Sequence, residues 1–291
     1  MYKLVAIDLD GTLLNNYGVV TENTKKVIKE ALKKDIYIIL ASGRPIDSIK
    51  TIANEIGANK YFIAGNGALI YDMQNQIPIY EKYMSKEKVL EIVKICEENS
   101  ISYNIYTENT IITKALKYNV LYYYKENLKK EEKNRTNITL VNDVKSYIEN
   151  LNHAKFLKIT ICDESKFVFQ SILKKVSKVN NIDILDVSHM SRKLIKQGTE
   201  EILIEYFYTE ISLKDVDKWE AIKFLINKLN IDKSEVIAIG DNINDKKMIK
   251  EAGLGIAMKK SSPDVIEIAN YITDRNNEEG VANAINRFIL S

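Results

Sequence analysis

Over the first 65 residues, short apolar runs alternate with stretches of helical periodicity. LVAI (4–7) is followed by Thr21–Lys34, then IYIILA (36–41), then Pro45–Ile56, then YFIA (61–64). β-Branched runs predict strands and the intervening periodicity predicts helices, which together make a βαβαβ unit. In the first helix Val27, Ile28, Ala31 and Leu32 share one face, lysines fill the other, and Thr21 is placed to cap the start. The strand runs are apolar throughout, as parallel strands covered on both faces by helices require. The predicted fold class is therefore α/β, with a doubly wound, Rossmann-like parallel sheet. The pattern returns near the end of the chain, with a helix over Asp217–Leu229, a strand VIAIG (236–240), a helix over Asn244–Ala252, a strand LGIAM (254–258) and a closing helix.

Between about Lys82 and Ser212 the rhythm changes. Helices are followed there by alternating strands: ISYNIY, TIIT, FLKITIC, NIDILDV and EILIEYFYTEIS. This predicts an inserted α+β domain with a largely antiparallel sheet, residues 83–212, dividing a core made of residues 1–82 and 213–291. Within it, KENLKKEEKNRTN (125–137) reads as a solvated helix end or loop, since acidic residues break up its lysines.

Composition narrows the function classes. A chain of 291 residues accommodates one large or two moderate domains. Lys and Arg number 42 against 40 Asp and Glu, which lacks the basic excess of a nucleic-acid binder. Cys96 and Cys162 are far apart without a CxxC spacing, and suggest free thiols in a reducing, cytoplasmic setting. The chain has neither an uncharged apolar run of about 18 residues nor a signal-peptide pattern, so no membrane association is expected.

The candidate chemistry collects where an open parallel sheet binds ligands, beyond the carboxyl ends of its strands. Asp8 and Asp10 follow LVAI; Ser42, Gly43 and Arg44 follow IYIILA; Asn66 and Gly67 follow YFIA; Asp241, Asn244 and Asp245 follow VIAIG. Each group alone is ordinary turn chemistry, but jointly they bring several carboxylates to one edge. Such carboxylates repel unless a cation or protons neutralise them. The donors are all oxygens, and His153 and His189 both fall in the insertion, so Mg²⁺ fits better than zinc. An Mg²⁺ held by carboxylates keeps positions for substrate phosphate, and a neighbouring carboxylate can attack phosphorus. Gly11 permits the turn that lets both Asp8 and Asp10 approach.

DLDGTL (8–13), ILASGRP (39–45), DKWEAI (217–222) and GDNINDKKMI (240–249) resemble the four motifs of the haloacid dehalogenase-like superfamily. Their order, with the closing AGLGIAM and GVANAI, resembles the Cof-like sugar-phosphatase branch, which carries a type IIB cap between the second and third motifs. The likeness spans essentially the whole chain. It implies an Mg²⁺-dependent phosphomonoester hydrolase acting on a small phosphorylated metabolite, a sugar phosphate, through an aspartyl-phosphate. Asp8 would be the nucleophile and Asp10 the general acid/base. Ser42 would hold a phosphate oxygen by hydroxyl and backbone amide at a helix N-terminus, with Gly43 beside it. Lys218 would neutralise phosphate charge and stabilise the Asp8 carboxylate. Asp241 would bind Mg²⁺ beside Asp8 and the Asp10 carbonyl, while Asn244 and Asp245 position phosphate and Lys218. Arg44 and Asn66 would either orient substrate or fix their loop.

Two departures from that branch stand out: Trp219 where Gly is usual, and Lys259, Lys260 and Ser261 where Gly-Asn-Ala is common. The same fold also admits a phosphomutase or a non-catalytic Mg²⁺/phosphate-binding protein. A monomer or weak homo-oligomer is expected.

Overall fold

The computed structural model describes residues 1–128, 131–132, 135–185, 191–197 and 200–291. The chain forms two compact units, one of Met1–Glu81 with Val216–Ser291, the other of Lys82–Asp215.

The first unit begins with β1 (Leu4–Ile7), α1 (Glu22–Lys33), β2 (Tyr37–Ala41), α2 (Ile46–Ile56) and β3 (Tyr61–Ala64). Thr21 caps α1, its hydroxyl accepting from the Thr24 amide at 3.2 Å. The inward face of α1 consists of Thr24, Val27, Ile28 and Ala31, while Leu32 is only half-buried. A hairpin absent from the sequence-based expectation follows: β4 (Leu69–Asp72) and β5 (Ile77–Glu81), antiparallel to each other, with β4 antiparallel to β3. It extends the sheet at an edge, where the Pro78 ring costs no interior ladder bond.

The second unit contains α3 (Lys86–Glu98), β6 (Ser102–Thr107), β7 (Ile111–Thr113), α4 (Tyr118–Asn127), β8 (Ile138–Leu140) and α5 (Val144–Asn150). It continues through β9 (Phe156–Asp163), α6 (Lys166–Val176), β10 (Ile182–Ile184), β11 (Ser191–Gln197) and β12 (Glu200–Leu213). Strand order is β10-β12-β9-β6-β7-β8, with β11 pairing β12; every pair is antiparallel except β7–β8. Alternation sets its two faces. Tyr103, Ile105, Ile159, Ile161 and Ile211 join the α3 and α6 side chains in one apolar core. Asn104, Tyr106, Lys158 and Thr160 alternate with them, and Lys158 pairs with Glu210 at 2.6 Å. The NIDILDV run keeps only Ile182–Ile184 as strand, and its last two residues lie outside the described residues, as does His189. Four residues of the charged 125–137 segment, 129, 130, 133 and 134, also lie outside them.

The chain then returns to the first unit with α7 (Lys218–Leu229), β13 (Val236–Gly240), α8 (Lys246–Glu251), β14 (Leu254–Met258), α9 (Pro263–Ile268), β15 (Tyr271–Thr273) and α10 (Gly280–Ile285). The completed sheet runs β15-β14-β13-β1-β2-β3-β4-β5. Its first six strands are parallel, and β1 lies at the centre with Leu4 opposite Val236 on one side and Tyr37 on the other. All four β1 residues are buried, and Leu4, Val5 and Ile7 each contribute about 1.5–3 kcal/mol by that burial. This centre fixes where the carboxyl ends of β1, β2, β3 and β13 converge.

Candidate active site

The turn after β1 is built on Gly11, whose φ of +86° places it in the left-handed region. A Cβ there would come within 2.5 Å of Asp241 Oδ2, so the glycine also makes room for that carboxylate. Thr12 completes the contact, its hydroxyl donating to Asp241 Oδ1 at 3.0 Å. The Asp8 amide continues the ladder by donating to the Ile239 carbonyl at 3.0 Å, which sets Asp8 beside the end of β13.

Beyond β13 the chain makes a 3₁₀ turn, Ile243–Asp245. Gly240 permits it, because a Cβ at that position would lie 2.5 Å from the Asp245 Cβ. The Asp245 carboxylate turns back over the strand end, and its Oδ2 accepts from the amides of Asp241 (3.0 Å) and Asn242 (3.1 Å). Its Oδ1 accepts from the Lys218 ammonium at 2.6 Å, and the same ammonium donates to Asp8 Oδ1 at 2.5 Å. Lys218 is completely buried. It is delivered by the first turn of α7, which Asp217 caps by accepting from the Glu220 amide at 2.9 Å. On the outer side Lys247 bonds Asp217 Oδ2 at 2.7 Å.

Burial makes these charges costly and shifts where each group titrates. The Asp8 carboxyl is pushed up to about 7, chiefly by burial and then by repulsion from Asp245, with Lys218 pulling the other way. Asp241 is pushed well above the carboxylate range by burial and by Asp8 and Asp245. For Lys218, burial opposes the charged form, but Asp245 and Asp8 outweigh it and hold the ammonium charged beyond its ordinary range. The Lys218 ammonium thus bonds Asp8 and Asp245 beside Asp241, and one carboxylate oxygen from each of the three residues lies within 4.8 Å of the other two. An all-oxygen, electron-rich cluster of this kind suits a hard divalent cation. Asp245 already accepts three hydrogen bonds, so Asp8 and Asp241 are the carboxylates with capacity for an ion.

The remaining expected residues divide. Arg44 is buried and sits on Asp10: its Nε donates to Oδ2 at 2.8 Å and its Nη2 to Oδ1 at 2.6 Å. The Asp10 carboxylate thus lies outside the three-carboxylate group, on the Arg44 side of the strand ends. Ser42 keeps its hydroxyl at the loop, where it accepts from the Arg44 amide at 3.2 Å. Its own amide donates to the Ile63 carbonyl at 3.0 Å as part of the sheet, which corrects the expectation that this amide holds phosphate. Gly43 is half-buried between them. Asn66 adopts φ +57°, its amide donates to the Ser42 carbonyl, and its side-chain oxygen accepts from Asn244 Nδ2 at 3.1 Å. Gly67, at φ +104°, is pressed against the start of α7, where an added Cβ would lie 2.0 Å from the Asp217 carbonyl. The loops after β2, β3 and β13 and the start of α7 are thereby linked.

Thr12 and Ser48 were not singled out from sequence; the only available signal for Ser48 was its position four residues past Arg44, one helical turn on. Trp219 packs into the core of the first unit with Ile222 and Ile249. Lys259 and Lys260 are exposed. His153 is exposed in the second unit.

A Rossmann-like sheet that ends in opposed aspartates bridged by a buried lysine, with a second unit inserted between its halves, defines a hydrolase of the haloacid dehalogenase class. Residues 5–285 match the family model of the haloacid dehalogenase-like hydrolases, and the chain belongs to that family. YxeH of Bacillus subtilis (strain 168), a provisionally named phosphatase, is 30% identical over 294 residues, with 100% of each chain covered. YcsE of the same organism, a 5-amino-6-(5-phospho-D-ribitylamino)uracil phosphatase, is 26% identical, with 99% of this chain and 96% of YcsE covered. Among solved structures, the subclass IIB sugar phosphatase BT4131 superposes with a TM-score of 0.76 at 20% identity, covering 98% of both chains.

Proposed function

We propose that the protein is an Mg²⁺-dependent phosphomonoesterase for a small phosphorylated metabolite, a sugar phosphate, working through an aspartyl-phosphate on Asp8. The observation that carries this reading is the ammonium of Lys218, buried between Asp8 and Asp245 beside Asp241. A buried cation there holds the nucleophilic carboxylate in one orientation and offers positive charge where phosphate oxygens arrive. Asp8 attacks phosphorus, and the bond to the leaving alcohol breaks as the Asp10 carboxyl proton passes to that oxygen. Water then attacks the phosphorylated Asp8 and gives a proton to the Asp10 carboxylate, inorganic phosphate leaves, and Asp8 is restored. We assign the phosphate contacts to the Ser42 hydroxyl and the Asn66–Asn244 pair, which stand in the loops after β2, β3 and β13. Asp8 and Asp241, with the Asp10 carbonyl, would hold the Mg²⁺, which when bound would supply charge neutralisation at the phosphate.

We assign the choice of leaving group to the unit Lys82–Asp215, which has an apolar core of its own. Action in the cytoplasm as a monomer or weak homo-oligomer accords with two buried free thiols and with a net charge of +2, which gives no nucleic-acid footprint. No helix among the described residues is long and apolar enough to cross a membrane. The test is release of inorganic phosphate from p-nitrophenyl phosphate with Mg²⁺ and with EDTA, followed by a panel of phosphorylated metabolites. Turnover that survives complete chelation overturns the metal dependence, and no turnover of any ester overturns the phosphatase reading.

A further inference from the structure

An aspartate on an exposed turn samples several rotamers, and Asp10 stands on such a turn with 53% of its side chain exposed. It is nevertheless gripped at both oxygens by one guanidinium edge, Arg44 Nε and Nη2. A two-point contact between planar groups fixes both the direction and the roll of the carboxylate, which a single bond cannot do. Arg44 is itself fixed: only 5% of its side chain is exposed, its Nη1 donates to Ser48 Oγ at 3.1 Å one turn into α2, and its amide is held by Ser42 Oγ. The orientation of Asp10 is thus referred back through Arg44 to α2.

The edge that grips Asp10 is the same edge an arginine uses to grip a phosphate in bidentate fashion, and here the carboxylate occupies it. We propose that Arg44 serves the reaction as the positioning residue of Asp10, and is not a direct phosphate ligand. The proposal rests on the phosphatase reading above, since Asp10 needs a fixed direction only if it passes a proton to and from the reacting oxygens. A misplacement of about 1 Å at a proton-transfer group costs on the order of a hundredfold in rate, so a loss of orientation is measurable in kcat.

The test compares the parent chain with Arg44→Met, Arg44→Lys, Asp10→Asn and the Asp10→Asn/Arg44→Met double variant, on p-nitrophenyl phosphate and on phenyl phosphate. p-Nitrophenolate departs without a proton and phenolate needs one, so a residue acting through Asp10 shows a larger effect on the second ester. Arg44→Met should lower kcat on the order of tenfold on phenyl phosphate and about twofold on p-nitrophenyl phosphate, with inhibition by inorganic phosphate unchanged within about twofold. Arg44→Lys keeps the charge without the fork and should still lose about threefold on phenyl phosphate. In the Asp10→Asn background Arg44→Met should change nothing further, because the group it positions is already disabled. Equal losses on both esters, additive losses in the double variant, weakened phosphate inhibition, or parental activity in Arg44→Lys would each overturn the proposal. Circular dichroism and thermal melts on every variant separate these outcomes from misfolding, since Arg44→Lys retains the buried cation. If the parent itself releases no phosphate from either ester, the phosphatase reading fails and this proposal fails with it; a fully active parent with additive variants sinks the proposal alone.

Discussion

Lys218 and Asp245, 27 positions apart, meet at 2.6 Å with both side chains fully buried, and the same ammonium reaches Asp8 at 2.5 Å. The pair joins the first turn of α7 to the turn after β13, so the carboxylate group at the strand ends and the packing of the unit share one contact. Removing one partner of a buried ion pair strands the other charge, at about 3–5 kcal/mol. Lys218→Met should therefore lower the urea midpoint sharply as well as abolish turnover. A variant as stable as the parent would show that the carboxylates relax by taking up protons.

Asp8→Asn should remove turnover by a thousandfold or more, on the order expected for loss of a covalent nucleophile. It should also change the pH dependence of stability. The folded carboxyl is pushed up to about 7. The folded state therefore binds the proton more tightly than the unfolded chain, and stability falls as pH rises from the ordinary aspartate range through about 7. In metal-free protein Asp8→Asn should raise the melting temperature more at pH 8 than at pH 5. Equal shifts at the two pH values would contradict the raised carboxyl.

Mg²⁺ should stabilise the parent more at pH 8 than at pH 5, because an ion entering among Asp8 and Asp241 must displace the protons those residues retain. Thermal melts across a Mg²⁺ titration at both pH values measure this, with Asp241→Asn as the variant in which the gain should disappear. A gain that persists in Asp241→Asn would place the ion elsewhere.

Gly67→Ala should impair catalysis more than folding. The new methyl would meet the Asp217 carbonyl at 2.0 Å and force a left-handed φ of +104° on an alanine. Strain of about 1–3 kcal/mol would be relieved by shifting the start of α7, and Lys218 rides on that turn. The expected result is a large drop in kcat beside a modest drop in melting temperature; the reverse pattern would detach the loop from the lysine.

Glu279 offers a test away from the catalytic edge. Its carboxylate accepts from the hydroxyls of Thr21 and Thr24, both at 2.7 Å, and ties the start of α1 to the residue before α10. Burial would raise its carboxyl, but hydrogen bonds from Thr24, Thr21 and Asn23 outweigh burial and hold it below the usual range. Its contribution is thus present above the ordinary glutamate range and is lost as pH falls through the depressed value. Glu279→Gln keeps an accepting oxygen but loses the charge, and should cost about 1 kcal/mol at neutral pH, less in acid, with kcat unchanged. A cost that does not shrink in acid would deny the charged hydrogen bonds.

What the sequence determined by itself was the part governed by local periodicity and by chemistry concentrated in short stretches. LVAI, YIILA, YFIA, VIAIG and LGIAM are apolar on both faces, so their burial as parallel strands followed from composition, and Asp8, Asp10, Ser42 and Asp241 followed from standing at strand ends. The capping of α1 by Thr21 was equally local, whereas Asp217, which the pattern puts inside the helix, caps α7 from outside it. The tertiary structure alone decided the partners. Arg44 meets Asp10 across 34 positions, Lys218 meets Asp8 across 210, and the Ser42 amide goes to Ile63 because β2 and β3 pair in one particular register. The β4–β5 hairpin and β11 also escaped the pattern, since short strands at an edge or in a hairpin are selected by a neighbour's unpaired backbone more than by their own side chains. Side-chain type fixes what a residue can bond to, but which partner lies within about 3 Å depends on strand order, register and helix docking, none of which is written in any one segment.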